Sequence, residues 1–390
     1  MPLEAVMNKD DVIYHIFLDR FAGFSEDTQE HRPDFLGGNL LGVLERLSYL
    51  VNLGVTWIWI SPFQKGVSYH GYHITDFYEV DERFGTKDDL RALIEACHAR
   101  GIKVMGDFVP NHCSDQHPFF LDAKKNPESP YRDWFNFSGR GKHEAFLHFG
   151  ELVKFNMEHP DVRAHVIGSA KYWIREFGLD ALRLDHVIGL SNTFWEAFAR
   201  EVKSEKDIPL IGEVSWVGIR PGHLKTLRIP DKRKHHIRRH VFRNEESAML
   251  NYVGILDGCL DFVFWREMRA FARGRRSKEK TLARLEKHYA KYPENFLLPT
   301  FLDNHDLNRF LHEARGERSR LKAAAEIQFS IPQPKIIYYG TEVGMTHEKN
   351  IRREKHHGDL HVRKKMRWDE AEQDRELLAF YKDLIKRRVP

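Results

Sequence analysis

Eight short apolar runs, each set apart by stretches of helical or loop character, constrain the fold of this chain more than any other feature. The runs are Val12–Phe17, Val55–Ile60, Ile102–Asp107, Asp180–Asp185, Ile208–Glu213, Leu260–Phe264, Leu297–Leu302 and Lys335–Tyr339. Between them, Leu40–Leu53, Lys87–Arg100, Asp161–Phe177, Asn192–Val202 and Glu317–Phe329 carry apolar residues at i, i+3 and i+4, the spacing of one helix face. Gly54, Gly101 and Gly178 stand where three of these helices should end, glycine being favoured just past a helix C-terminus. Strands that alternate with helices pair in parallel, and eight such units make a (β/α)8 barrel, an α/β TIM barrel. With 390 residues, the chain holds the ~250 that a barrel needs, plus insertions.

The alternation breaks once. From Cys113 to Phe155 the sequence is rich in loops, with Pro118, Pro127, Pro130, Trp134 and Gly139–Gly141. A connection this long in a compact domain is usually functional. It predicts a short domain inserted at 113–155, with the barrel formed by 1–112 and 156–390. Ser215–Glu246 and His347–Arg367 are also irregular, and an amphipathic helix at about Ala371–Arg387 is expected to close the barrel.

Several runs end in ionisable residues: Asp107 with Asn111-His112, Arg183-Leu184-Asp185, Glu213, and Asp303-Asn304-His305-Asp306. Residues at the C-terminal ends of barrel strands converge on one mouth. Arg183 and Asp185 are two apart on a strand, so they face the same way, and the guanidinium favours an ionised Asp185, as a nucleophile requires. An apolar approach to Glu213 would keep a proton on it, as a general acid requires. Histidines can hold sugar hydroxyls, and a third carboxylate can stabilise an oxocarbenium-like charge. Singly, each has a plain structural alternative, an ion pair on a strand or a charge at the barrel rim. Together, on strands three, four, five and seven, they fit glycoside hydrolysis, which uses paired carboxylates.

Other classes recede. The net charge of +4 is small for this length, and the basic runs Lys232–Arg239 and Arg352–Lys365, which include His235, His236, His356, His357 and His361, read as solvated loops or an oligomer contact. No nucleic-acid partner is expected. No run reaches the ~18–20 apolar residues of a membrane span, and the N-terminus has no signal-like apolar region. Cys97, Cys113 and Cys259 lack any CxxC spacing and read as buried thiols. These features together predict a cytoplasmic protein. Phe63, Trp134, Phe135 and Trp216 either stack on sugars or pack the inserted domain.

Further stretches carry a resemblance. Ile13-Tyr14-His15-Ile16-Phe17-Leu18-Asp19-Arg20-Phe21, Gly54-Val-Thr-Trp-Ile-Trp-Ile-Ser-Pro62, His70-Gly71-Tyr72-His73-Ile74-Thr75-Asp76-Phe77-Tyr78, Arg83-Phe84-Gly85-Thr86, Tyr338-Tyr-Gly-Thr-Glu342 and Met366-Arg-Trp-Asp369 occur in order. With them the chain resembles the α-amylase family, glycoside hydrolase family 13, over nearly its whole length. The resemblance implies a retaining double displacement on α-linked glucose units, with Asp185 as nucleophile, Glu213 as acid/base and Asp306 as third carboxylate. It places Arg183, His112 and His305 around the reacting sugar, Tyr72 stacked on its ring, and Asp107 in support. The expected partners are α-glucan oligosaccharides, and the expected reaction is hydrolysis of α-1,4 bonds in maltodextrins or starch. The alternatives are a 4-α-glucanotransferase, an exo-acting α-glucosidase, or a non-catalytic scaffold, the last opposed by the retained carboxylates.

The chain departs from the family pattern in three places. Asp185-His186-Val187 lacks the Lys-His pair that binds leaving-group sugars. In Leu152-Val153-Lys154-Phe155-Asn156, Lys154 stands where a calcium-ligating aspartate is expected, so no structural calcium, other metal or cofactor is expected; the Lys154 ammonium would replace the ion near Asn111. The family's C-terminal β-sandwich has no counterpart before residue 390.

Overall fold

A computed structural model describes residues 6–24, 33–138, 142–147, 149–215, 245–351 and 358–387. Eight strands are numbered here in chain order: β1 Val12–Ile16, β2 Trp57–Ile60, β3 Lys103–Phe108, β4 Ala181–Leu184, β5 Leu210–Gly212, β6 Gly258–Cys259, β7 Thr300–Phe301 and β8 Lys335–Tyr338. They form one sheet in the order β6-β5-β4-β3-β2-β1-β8-β7, the sequential neighbour order of a parallel (β/α)8 barrel. The registers pair Ile13 with Trp57 and Ile336, and Ile211 with Arg183 and Gly258. Every residue of β1, β2 and β4 is buried. This explains why VIYHI and WIWI are almost continuously apolar, as strands covered on both faces are.

The chain divides into two compact units. One comprises Met1–Ser61, Arg83–Met105 and Leu260–Pro390; the other comprises Pro62–Glu82 and Gly106–Cys259. In the first, the helix Lys87–His98 begins at a capping box between Thr86 and Asp89, which satisfies backbone donors that the first turn leaves free. In the second, Pro160–Phe177 has proline in its first turn and stops at Gly178, φ 77°. Gly54 and Gly101 likewise adopt positive φ, as their positions in the sequence indicated.

Three expectations are corrected. The run Leu260–Phe264 is not a strand: β6 lies just before it, and Phe262–Ala272 is a helix capped by Asp261, whose carboxylate accepts from the Phe264 N–H at 2.8 Å. A short apolar run fits a buried strand and the start of a buried helix equally well, and here the cap decides. The run Leu40–Leu53 is two helices, Leu40–Glu45 and Leu47–Leu53, interrupted at Arg46 (ψ 6°). The last helix begins at Arg375, after a short 3-10 turn at Glu370–Glu372. Within 113–155 the loop-rich sequence builds a three-stranded antiparallel sheet, with His112–Ser114 and Ala145–Phe146 flanking Phe149–Lys154, and the helix Pro118–Lys125. The three cysteines are free and buried, as their spacing indicated.

Candidate active site

The unit containing β4 and β5 holds a carboxylate cluster built on one arginine. Asp185 and Glu213 each follow directly on a strand, and their backbones stay pinned to the neighbouring one: the Asp185 N–H donates to the Phe108 carbonyl (2.9 Å) and the Glu213 N–H to the Leu184 carbonyl (2.9 Å). Arg183, inside β4, is fully buried. Its Nη1 donates to Asp107 Oδ1 at 2.8 Å and to Asp185 Oδ1 at 2.9 Å, while Nη2 makes an ion pair with Glu213 Oε2 at 2.8 Å. Burial opposes the guanidinium charge, yet Asp107, Glu213 and Asp185 outweigh it and hold the Arg183 pKa well above its ordinary value. The planar fork of an arginine suits such a network, which a lysine could not span.

Gly71 places Tyr72. It adopts φ +81°, and a Cβ there would lie 2.1 Å from the Pro62 carbonyl oxygen, so only glycine fits. Tyr72 Oη donates to Asp107 Oδ2 at 3.0 Å, which ties the ring to the arginine network. His112 is buried, and burial pushes its pKa down to about 3, so the ring is neutral. Its Nδ1 lies 3.3 Å from the Asn111 amide nitrogen, which can only donate, leaving the proton on Nε2.

Asp185, Glu213, Asp107, Arg183 and Tyr72 are thus joined by direct contacts. Glu213 Oε2 accepts from the His186 N–H at 3.2 Å besides pairing with Arg183 Nη2, contacts that a strand-end position alone does not foretell. His186 makes its contact from a left-handed backbone, φ 45°, rare for a residue with a side chain.

In the other unit, His305 is buried and its Nε2 lies 3.0 Å from Asp306 Oδ2. Asp306 is exposed at its carboxylate, where Arg363 Nη2 approaches Oδ1 at 2.8 Å. Arg363 also donates to the His305 carbonyl and pairs with Asp359. Arg363 is buried rather than solvated, a correction to the reading of its basic run; the charge is retained because Asp306 and Asp359 neutralise it. Phe63 is buried against Trp173, and Trp134 packs on Phe119, Tyr131 and His165, so both serve packing. Lys232–Arg239, His235, His236, Trp216, His356 and His357 lie outside the described residues.

Sequence reasoning missed Phe146. It stacks on His112 (4.9 Å, 28°) and meets His186 edge-on (4.6 Å), with the exposed Phe149 beyond it at 6.4 Å. Only the alternation around the short strand Ala145–Phe146 marks it, and that signal is too brief to read.

Three carboxylates at the ends of parallel strands, all gripped by one buried arginine, define a (β/α)8-barrel protein with an acidic site at its strand ends. The family model described as Alpha amylase, catalytic domain, matches residues 15–380, and the chain belongs to that family. It is 37% identical to Alpha-amylase 2 of Dictyoglomus thermophilum over 98% of this chain and 63% of that protein. It is 34% identical to a cyclomaltodextrinase of a Bacillus species over 97% of this chain and 66% of the relative. Among solved structures, the cyclic alpha-maltosyl-(1→6)-maltose hydrolase of Arthrobacter globiformis in complex with maltose superimposes with a TM-score of 0.82 at 26% identity, covering 97% of this chain and 83% of that one. The chain therefore spans about two thirds of the length of these curated relatives.

Proposed function

We propose that this protein hydrolyses α-1,4-glucosidic bonds in maltodextrins by a retaining double displacement. The observation that carries the reading is the single guanidinium of Arg183 holding both Asp185 and Glu213. Two carboxylates on adjacent nitrogens of one group suit the ~5–5.5 Å spacing of retaining enzymes better than the ~6.5–9.5 Å of inverting ones. Arg183 keeps Asp185 ionised, and Asp185 attacks the anomeric carbon. Glu213, carrying a proton drawn from solvent, gives it to the departing glycosidic oxygen as the anomeric carbon bonds to Asp185. Water then attacks the glycosyl-enzyme, its proton passes to Glu213, and Asp185 is released. His112 Nε2–H and Tyr72 bind the reacting sugar, Asp107 orients both Tyr72 and Arg183, and Asp306 with His305 supplies the third carboxylate and its donor. The relatives' names, cyclomaltodextrinase and a hydrolase seen with maltose, support an α-glucan substrate.

Phe146 offers an apolar face beside His112, where a leaving-side or acceptor sugar could stack in place of the missing Lys-His. This favours transfer to sugar acceptors as the second reading. Maltotriose incubation separates the two: only shorter sugars are expected, and longer oligomers would establish a glucanotransferase.

The residues do not fit a structural calcium, which requires six to eight oxygens. Asn111 Oδ1 is buried without a donor among the described residues. Lys154 is a buried cation paired with Glu144 Oε1 at 3.0 Å, and a cation repels Ca²⁺ rather than ligating it. We infer that the Lys154 ammonium does the ion's work. EDTA is expected to leave the Tm unchanged; a fall of many degrees would sink this reading.

A further inference from the structure

The unit that contains β1, β2, β7 and β8 holds a cavity of about 530 Å³ lined by Arg273, Arg275, His312, Glu313, Arg315 and His347, among others. None of these residues belongs to the machinery assigned above. The negative charge of Glu313 is already consumed: Arg269 Nε lies 3.0 Å away, Arg273 pairs with the same oxygen, and Asn308 Nδ2 donates to Oε1 at 2.8 Å. Arg275 and Arg315 are exposed and make no ion pair among the described residues. The cavity therefore carries net positive charge at its rim.

The depth of the cavity has a different character. Asn308 Nδ2 is committed to Glu313, so its Oδ1 is the acceptor, and it receives both the Ile351 N–H (3.1 Å) and His347 Nε2 (3.0 Å). His347 Nε2 must therefore carry the ring proton, which leaves Nδ1 as a bare acceptor. That Nδ1 is buried without a partner, in a residue only 4% exposed. Burial, reinforced by His312, Arg309, His361 and Lys364, pushes the His347 pKa down to about 3, so the ring does not satisfy that nitrogen by taking a proton from water. His312 stacks on it at 4.2 Å, with its own Nδ1 donating to the His347 carbonyl.

A ligand that suits this cavity must be an anion for the arginines and must still own an O–H for His347 Nδ1. We propose that the cavity is a binding site for hydrogen phosphate. Inorganic phosphate keeps a P–O–H throughout the neutral range, whereas sulfate has none and a phosphate monoester loses its last proton at about pH 6. Arg315 holds a left-handed backbone, φ 59°, because it closes the helix Phe310–Glu313: its N–H donates to the His312 carbonyl and the Gly316 N–H to the Leu311 carbonyl, a common helix C-terminal turn, which sets Arg315 at the lining of the cavity.

Calorimetric titration of the full chain at about pH 7.5, at constant ionic strength because salt screens such charges, tests this with three probes: inorganic phosphate, sulfate and glucose 6-phosphate. Phosphate is expected to bind one to one, with sulfate and glucose 6-phosphate weaker by about tenfold or more, the worth of one charge-assisted hydrogen bond. Equal affinity for all three would mean a mere cationic patch, and tighter binding of the ester, or no phosphate binding, would equally overturn the proposal. Arg315→Gly removes the guanidinium and relieves the left-handed backbone, so it is expected to keep or raise the phosphate-free Tm. It should weaken phosphate by about tenfold; unchanged affinity would overturn the role given to the cavity.

Discussion

Replacing Asp185 by asparagine is expected to lower kcat on maltodextrins by about 10⁴-fold or more, since removing a covalent nucleophile costs most of the chemical acceleration. The fold should survive. The carbonyl of the new amide would still accept from Arg183 Nη1, and the guanidinium keeps its contacts to Asp107 through Nη1 and to Glu213 through Nη2. Unfolding in urea should therefore place the variant within about 1 kcal/mol of the parent, the range of a single neutral-for-charged hydrogen bond. Residual activity near the parental level would remove Asp185 from the mechanism; loss of activity together with loss of the fold would leave the residue structural.

Arg183→Met should have the opposite signature, a large loss of stability accompanied by loss of activity. Methionine matches the arginine stem but leaves Asp107, a fully buried carboxylate, without its cation, and removes the one group that joins it to Asp185 and Glu213. Breaking a buried ion pair from one side costs about 3–5 kcal/mol. Arg183→Lys should recover part of the stability, because the charge returns, and little of the activity, because one ammonium cannot orient three carboxylates. Denaturant unfolding of the two variants checks this; a methionine variant as stable as the parent would mean that the cluster is held by something other than Arg183.

The contrast between these residues and the ones missed shows what a sequence makes legible. Arg183 and Asp185 could be paired on paper because a strand has a period of two, and Asp107 and Glu213 stood out as charges ending apolar runs. Strand six was misplaced by a few residues because its two-residue length carries no periodicity, while the helix after it begins with an equally apolar FVFW. Phe146 belongs to a small antiparallel sheet whose register is set by tertiary pairing, Ala145 opposite Val153, and no local pattern foretells which aromatic will land on His112. Arg363 looked solvated because it lies in a run of cations; only the fold brings Asp306 and Asp359 to it. The resting contact of Glu213 with Arg183 was hidden for the same reason, since the pairing partner lies on the adjacent strand.

Proton NMR of the anomeric region during the first minutes of maltotriose digestion tests the double displacement most directly. A glycosyl-enzyme formed on Asp185 and opened by water on the same face requires the α-anomer of the newly formed reducing end to appear first, with the β-anomer growing in later by mutarotation. An initial excess of the β-anomer would mean a single displacement and would contradict the roles assigned to Asp185 and Glu213.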